Sequence, residues 1–281
     1  MQGEASSTAI MAAMARAGHR IYDDHPWVLD DPYALPFVGA QWEELFSLTE
    51  SIFPVPVQEV VRGGLAARSR YAEDRFLDGG VSQYVALGAG LDSFAWRRPD
   101  VLRRATVFEV DHPLTQAWKL DRVAALHLPT AEGPTFVPCD FEHENLHEVL
   151  ESAGFDWGSP AVFSWIAVSM YLTVPAIEET LRTIAGGAEG TEIVLSYAPP
   201  RAGLDELSQA FLDIMVPLAA SRGEPIQSFF DESEIVDLVS RCGLEVADHP
   251  SHAELNERYL SGRTDGLRTY MCERMLAAVV A

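Results

Sequence analysis

The chain has 281 residues, 48% of them apolar, and its 42 acidic against 20 basic side chains give a formal charge of −22. That length suits one large α/β domain or one domain with an added cap, and the apolar fraction is too high for disorder. A surface this acidic repels nucleic acid and anionic membrane, and no run of about 18 apolar residues marks a membrane span. Met1 to Gly18 contains Glu4 and no basic stretch ahead of an apolar block, which is not the pattern of a secretory signal. Cys139, Cys242 and Cys272 are odd in number and far apart, as expected of reduced, mostly buried thiols in a cytoplasmic protein.

The Ala- and Met-rich stretch from Thr8 to Arg20 predicts a helix, and Asp30-Asp31-Pro32-Tyr33 a turn into a short apolar segment. Glu59 to Leu77 predicts a long helix despite Gly63 and Gly64; it carries Arg68, Arg70 and Arg75 and stops at Gly79-Gly80. Strands and helices then alternate. Strands are expected at Gln83–Leu87, Thr106–Val110, Thr135–Pro138, Ala161–Val168 and Glu192–Tyr197, with helices beginning near Pro113, Glu142 and Pro175 between most of them. The two prolines suit first helical turns, where a missing N–H is harmless. This alternation predicts a parallel sheet with helices on both faces.

Beyond Pro199-Pro200 the pattern breaks. Ala202 to Gly223 has apolar residues at helical spacing, and it reads either as a prop on the sheet edge or as a lid over a site at the strand ends. Asp231-Glu232-Ser233-Glu234 resembles a capping box for a helix running to Cys242. Leu244–Ala247 and Cys272–Val280 are candidates for a closing pair of antiparallel strands.

The most informative stretch is Tyr84-Val85-Ala86-Leu87-Gly88-Ala89-Gly90-Leu91-Asp92-Ser93-Phe94 followed by Val107-Phe108-Glu109-Val110-Asp111. It is a buried strand, a glycine turn, a helix start and a second strand ending in an acid. That is the layout of a nucleotide-type site, and the acid lies about 20 residues beyond the turn, where it can meet a ribose. Dinucleotide sites carry a third small residue, Gly or Ala, beside the pyrophosphate; here that slot is Ser93. A cofactor without pyrophosphate, such as S-adenosylmethionine (SAM), has no need of it.

With these pieces the chain resembles the leucine carboxyl methyltransferase family and its bacterial SAM-dependent branch. The matching residues are Leu87-Gly88-Ala89-Gly90-Leu91-Asp92, Phe108-Glu109-Val110-Asp111-His112-Pro113, Asp31-Pro32-Tyr33-Ala34, Ala67-Arg68-Ser69-Arg70, Cys139-Asp140-Phe141 and Ser169-Met170-Tyr171-Leu172-Thr173. They stand in the family's order. The resemblance implies a class I, Rossmann-like methyltransferase fold with a seven-stranded, mostly parallel sheet. It also implies an N-terminal helical cap, placed here at residues 1–80 on a core over 81–281; on the lid reading of Ala202 to Gly223 the core carries an insertion at about 200–230. The implied cofactor is SAM. Arg68 would pair with its methionine carboxylate, with Arg70, Arg16 or Arg20 as substitutes or helpers. Gly88 and Gly90 would let backbone approach the methionine part, Asp111 would hold the ribose hydroxyls, and Asp140 with Phe141 would flank the adenine. Tyr171 is a candidate for the acceptor pocket. Asp92, Asp111 and Asp140 can each also be read as local caps.

The chain departs from the family at one place: Ile166 stands where the resemblance implies a glutamate in contact with the cofactor. The expected activity is O-methylation of a carboxylate or hydroxyl on a small molecule. The alternatives are a nicotinamide-dependent oxidoreductase, which Ser93 argues against, and a non-catalytic SAM-binding partner protein, which Ile166 favours. His143-Glu144-Asn145-Leu146-His147 has the spacing of a zinc-binding helix, yet the apolar stripe of Leu146, Val149, Leu150 and Ala153 turns both histidines towards solvent, and no metal is expected. Trp96, Arg97 and Arg98 are expected on a solvated helix face.

Overall fold

The computed structural model describes residues 6–130 and 132–281; Glu4 of the N-terminal reading lies outside them. Four helices come first: α1 (Ser7–Tyr22), α2 (Ala34–Val38), α3 (Trp42–Ile52) and α4 (Val55–Gly79). The sheet then begins with β1 (Gln83–Leu87), short helices α5 (Phe94–Arg97) and α6 (Pro99–Leu102), β2 (Thr106–Asp111), α7 (Pro113–Ala125) and β3 (Thr135–Pro138). It continues through α8 (Leu146–Ser152), β4 (Val162–Trp165), α9 (Val174–Ala185), β5 (Glu192–Tyr197) and α10 (Glu206–Ser221). The final elements are α11 (Glu232–Arg241), β6 (Glu245–Asp248), α12 (His252–Leu260) and β7 (Arg274–Val279).

The seven strands form one sheet in the order β3-β2-β1-β4-β5-β7-β6. β7 is antiparallel to both of its neighbours, and every other pairing is parallel. Alternation along each strand supplies two cores. Val85, Leu87, Phe163 and Trp165 face the helices α8, α9 and α11. Tyr84, Ala86, Val107 and Val162 face Tyr71, Ala72 and Phe76 of α4 and Leu255 of α12. The C-terminal half of α4 thus belongs to the sheet's own core.

Three boundaries differ from the expectations, each for a local reason. β4 stops at Trp165 because Ala167 takes a left-handed backbone (φ 58°), and the chain turns into a 3-10 turn at Ser169–Tyr171. The helix expected near Glu142 begins only at Leu146, since Asp140 and Glu144 hold residues 140–144 in a turn of their own and Asn145 provides the cap. His143 is therefore not on that helix, and the one-turn spacing of a zinc pair does not form. Instead His143 bonds Asp140 at 3.1 Å while His147 stacks on Trp157 at 4.7 Å. The capping box at Asp231 and Glu234 forms as expected.

The solvated face expected of Trp96 and Arg97 is the clearest correction. Trp96 is buried against Phe37 of α2, and the Arg97 side chain is only 7% exposed, bonded to Glu73 and Ser93. The N-terminal helices cover this face. Arg98 alone stays at the surface, paired with Asp100.

Candidate functional site

Register builds the site. Leu87 pairs with Val110 and Asp111 with Pro138, so the residues that follow β1, β2 and β3 stand side by side at the carboxyl edge. Gly88 and Ala89 both donate to the Val110 carbonyl, which folds the turn onto β2. Gly88 is in the left-handed region (φ 67°), and a Cβ there would meet Val168 Cγ2 at 2.2 Å, so only glycine lets the Ala167 turn pack against it.

Asp111 ends up beneath the glycine turn. Its Oδ2 accepts from Gly90 N and its Oδ1 from His112 N at 2.7 Å. The N-cap of α7 is His112, so Asp111 does not serve as that helix's plain cap. Burial raises its carboxyl above the usual range while the two backbone bonds pull it back. Among the described residues each oxygen has one partner, which leaves a lone pair on each for a vicinal diol. Asp140 follows β3: its Oδ1 accepts from Glu142 N at 3.1 Å, and His112 Nε2 stands 3.9 Å from its Oδ2. Phe141 is half-buried beside it, 6.5 Å from the Trp165 ring.

These residues line one cavity of about 550 Å³, within the range of small-molecule sites. Arg68, Gly88, Gly90, Asp111, Asp140, Phe141 and Tyr171 all border it, as do Asp92 and Ile166. Arg68 is bonded to Glu273 and, at 3.0 Å, to the Tyr270 hydroxyl. Arg70 lies outside, in an exposed pair with Asp74, and Arg20 is engaged by Asp30. Arg16 borders the cavity but is committed to Asp31 (2.8 Å) and the Leu91 carbonyl (2.7 Å).

That commitment explains Ser93 and Asp31 together. Asp31 accepts from Arg16, from Ser93 Oγ at 2.7 Å and from two backbone N–H groups, and Ser93 accepts in turn from Arg97. Ser93 therefore fastens the segment between α1 and α2 to the glycine turn. Three acids absent from the sequence reading also border the cavity: Glu73, which is held by Arg97, Glu224 and Glu273. Glu224 accepts from Ser7 N, Ser7 Oγ and Thr8 N, closing the start of α1 over the opening, and Glu273 meets Arg68. An acid at the start of the candidate strand Cys272–Val280, beside Arg274 and ahead of an apolar run, was the available signal for Glu273.

The chemistry of this donor set fits SAM. A carboxylate with open lone pairs lies beside the glycine turn, an aromatic face follows β3, and Arg68 Nε and Glu273 Oε1 are buried with no partner among the described residues. The fold points the same way. A seven-stranded sheet whose β7 alone runs antiparallel, between β5 and β6, is the class I SAM-dependent methyltransferase architecture. The dinucleotide order 3-2-1-4-5-6 has no such inserted strand, which sets the oxidoreductase alternative aside.

Comparison with known proteins gives the family. The leucine carboxyl methyltransferase family model matches residues 9–185, and the chain belongs to that family. A relative from Bacillus subtilis (strain 168), named "Putative S-adenosyl-L-methionine-dependent methyltransferase YktD", is 30% identical over 302 residues, covering 99% of each chain. Among solved structures, a DUF574 family protein from Streptomyces avermitilis MA-4680 superposes with a TM-score of 0.57 at 15% identity, covering 96% of this chain and 97% of that one. The pyocyanin biosynthetic protein PhzM superposes at 0.51 and 15% identity, over 90% of this chain and 62% of its own. The chain is a SAM-dependent methyltransferase. No helix among the described residues is long and apolar enough to cross a membrane.

Proposed function

We propose that this methyltransferase methylates an oxygen, a carboxylate in preference to a hydroxyl, on a small molecule with an apolar body. The observation that carries this reading is the wall of the cavity away from the strand ends. It is built from Met11 of α1, Phe46 of α3, Phe53, Leu65 of α4, and Phe211 and Met215 of α10. Such a wall recognises the acceptor by burial of apolar surface.

When bound, SAM supplies an activated sulfonium methyl group whose positive charge draws an anionic oxygen. The protein's part is to hold, orient and exclude water. In this reading Arg68 takes the methionine carboxylate, Gly88 and Gly90 admit the methionine chain, Asp111 holds the ribose diol, and Asp140 with Phe141 flanks the adenine. Burial pushes the Tyr171 phenol up to about 12, so at neutral pH it stays protonated and acts as a hydrogen-bond donor at the acceptor. A carboxylate is already ionised at pH 7 and needs no general base. Helices α1 to α3 form the cap, and α10 packs against them to extend the cover.

Labelled SAM offered with a panel of apolar carboxylic acids and phenols tests this. Mild alkali should release the transferred label as methanol, as it does from a methyl ester. Alkali-stable label, as in an aryl ether or a methylated amine, would overturn the carboxylate assignment. Thermal shifts test the site itself: S-adenosylhomocysteine should raise the melting temperature of the native chain, NAD should not, and Asp111→Ala should lose the shift.

A further inference from the structure

Arg68 and Glu273 form a buried ion pair at the wall of the cavity, with side chains 12% and 6% exposed. A buried pair of this kind is stable only when its remaining donors and acceptors are also satisfied. Tyr270 donates to the bonded oxygen Glu273 Oε2 and also meets Arg68. Two atoms are left over: Arg68 Nε, a donor, and Glu273 Oε1, an acceptor, both buried and unpartnered among the described residues. The open positions therefore lie on opposite partners of one pair.

A group that satisfies both at once offers an acceptor to Arg68 Nε and a donor to Glu273 Oε1. An α-amino acid zwitterion is such a group, and the methionine end of SAM is one. Ile166, which also borders the cavity, offers no acceptor for an ammonium. We infer that Glu273, at the entry to β7, receives the ammonium of the cofactor's amino-acid end through Oε1 while Arg68 receives its carboxylate. In this chain the acid contact is thus supplied from β7 and not from the segment after β4. The inference depends on the proposed placement of the methionine carboxylate at Arg68. It adds a residue that the sequence reading did not assign.

Calorimetry with S-adenosylhomocysteine and its deaminated analogue, which lacks only the amino group, tests this. A charge-assisted hydrogen bond to a buried carboxylate corresponds to about 10–100-fold in affinity. The native protein should prefer S-adenosylhomocysteine by that factor. Glu273→Gln should bind S-adenosylhomocysteine about 10–100-fold more weakly and the deaminated analogue as the native protein does. Equal affinity of the native protein for the two ligands overturns the inference without any variant. So does a Glu273→Gln variant that weakens both ligands alike, since a merely structural role would do that. Failure of the native protein to bind S-adenosylhomocysteine at all would instead overturn the placement of the cofactor.

Discussion

Two buried arginines, Arg97 and Arg68, differ in how completely their hydrogen bonds are met. Arg97 is closed on every side: its Nε donates to Ser93, its two Nη groups reach Glu73, and Asp31 and Arg16 complete the cluster. Arg68 has an equally buried acid in Glu273, but one atom on each partner remains open. A satisfied network in low dielectric fixes one arrangement of the chain, here the cap against the turn. An incompletely satisfied network retains unused binding capacity. Burial and charge are alike in these two pairs; the open donor and acceptor on Arg68 and Glu273 are what distinguish them.

The largest effect should come from breaking the closed cluster. Arg97→Ala strands Glu73 in the core, and loss of one member of a buried pair costs about 3–5 kcal/mol. Urea denaturation should show that loss, and a cost below about 1 kcal/mol would remove the contrast. The open pair should respond in the opposite sense. Replacing both members, Arg68→Met with Glu273→Leu, should leave stability within about 1 kcal/mol of the native protein or raise it. Its affinity for S-adenosylhomocysteine should fall by about 100-fold or more, through lost charge-assisted bonds; calorimetry and melting on the same sample separate the two quantities.

Acid titration sharpens the comparison further. Burial raises the Asp31 carboxyl, but Arg16, Arg97 and the Ser93 bond outweigh it and hold the group below its usual value. Its contribution to stability is then complete above the unfolded pKa of about 3.9 and lost as pH falls through the folded one. Asp31→Asn should flatten the stability profile below about pH 4 and leave the neutral region unsloped. The smallest effect belongs to Ser93→Ala, about 1 kcal/mol by denaturation, with cofactor affinity unchanged.

The sheet was legible in the sequence because its signals are local. Apolar runs bounded by Gly or Pro mark β1, β3 and β5, and the spacing from Gly88 to Asp111 lies within one β-α-β unit. The register of Leu87 on Val110 then brings acid and turn together. What the sequence hid depends on distant partners. Arg68 and Glu273 are 205 positions apart, and Glu224 is 217 from Ser7, so no window of sequence contains either contact. The burial of Trp96 and Arg97 has no local signal, because Phe37 of α2 and Glu73 of α4, which meet them, lie earlier in the chain. By helix propensity Gly63 and Gly64 only weaken α4. A Cβ at Gly64 would meet the Tyr270 ring at 1.9 Å, so the gap at that position is what admits the segment leading into β7.

The place of β7 has a consequence for how the protein is made. It is the last strand of the sheet to leave the ribosome, yet it lies inside the sheet between β5 and β6, and it carries Glu273 to a helix that was synthesised some 200 residues earlier. Until then β5 has an unpaired edge and Arg68 has no counter-ion. A nascent chain halted before Cys272 would hold the glycine turn and Asp111 but leave Arg68 without its buried partner, so this part of the cavity wall is completed only with the segment that also closes the sheet.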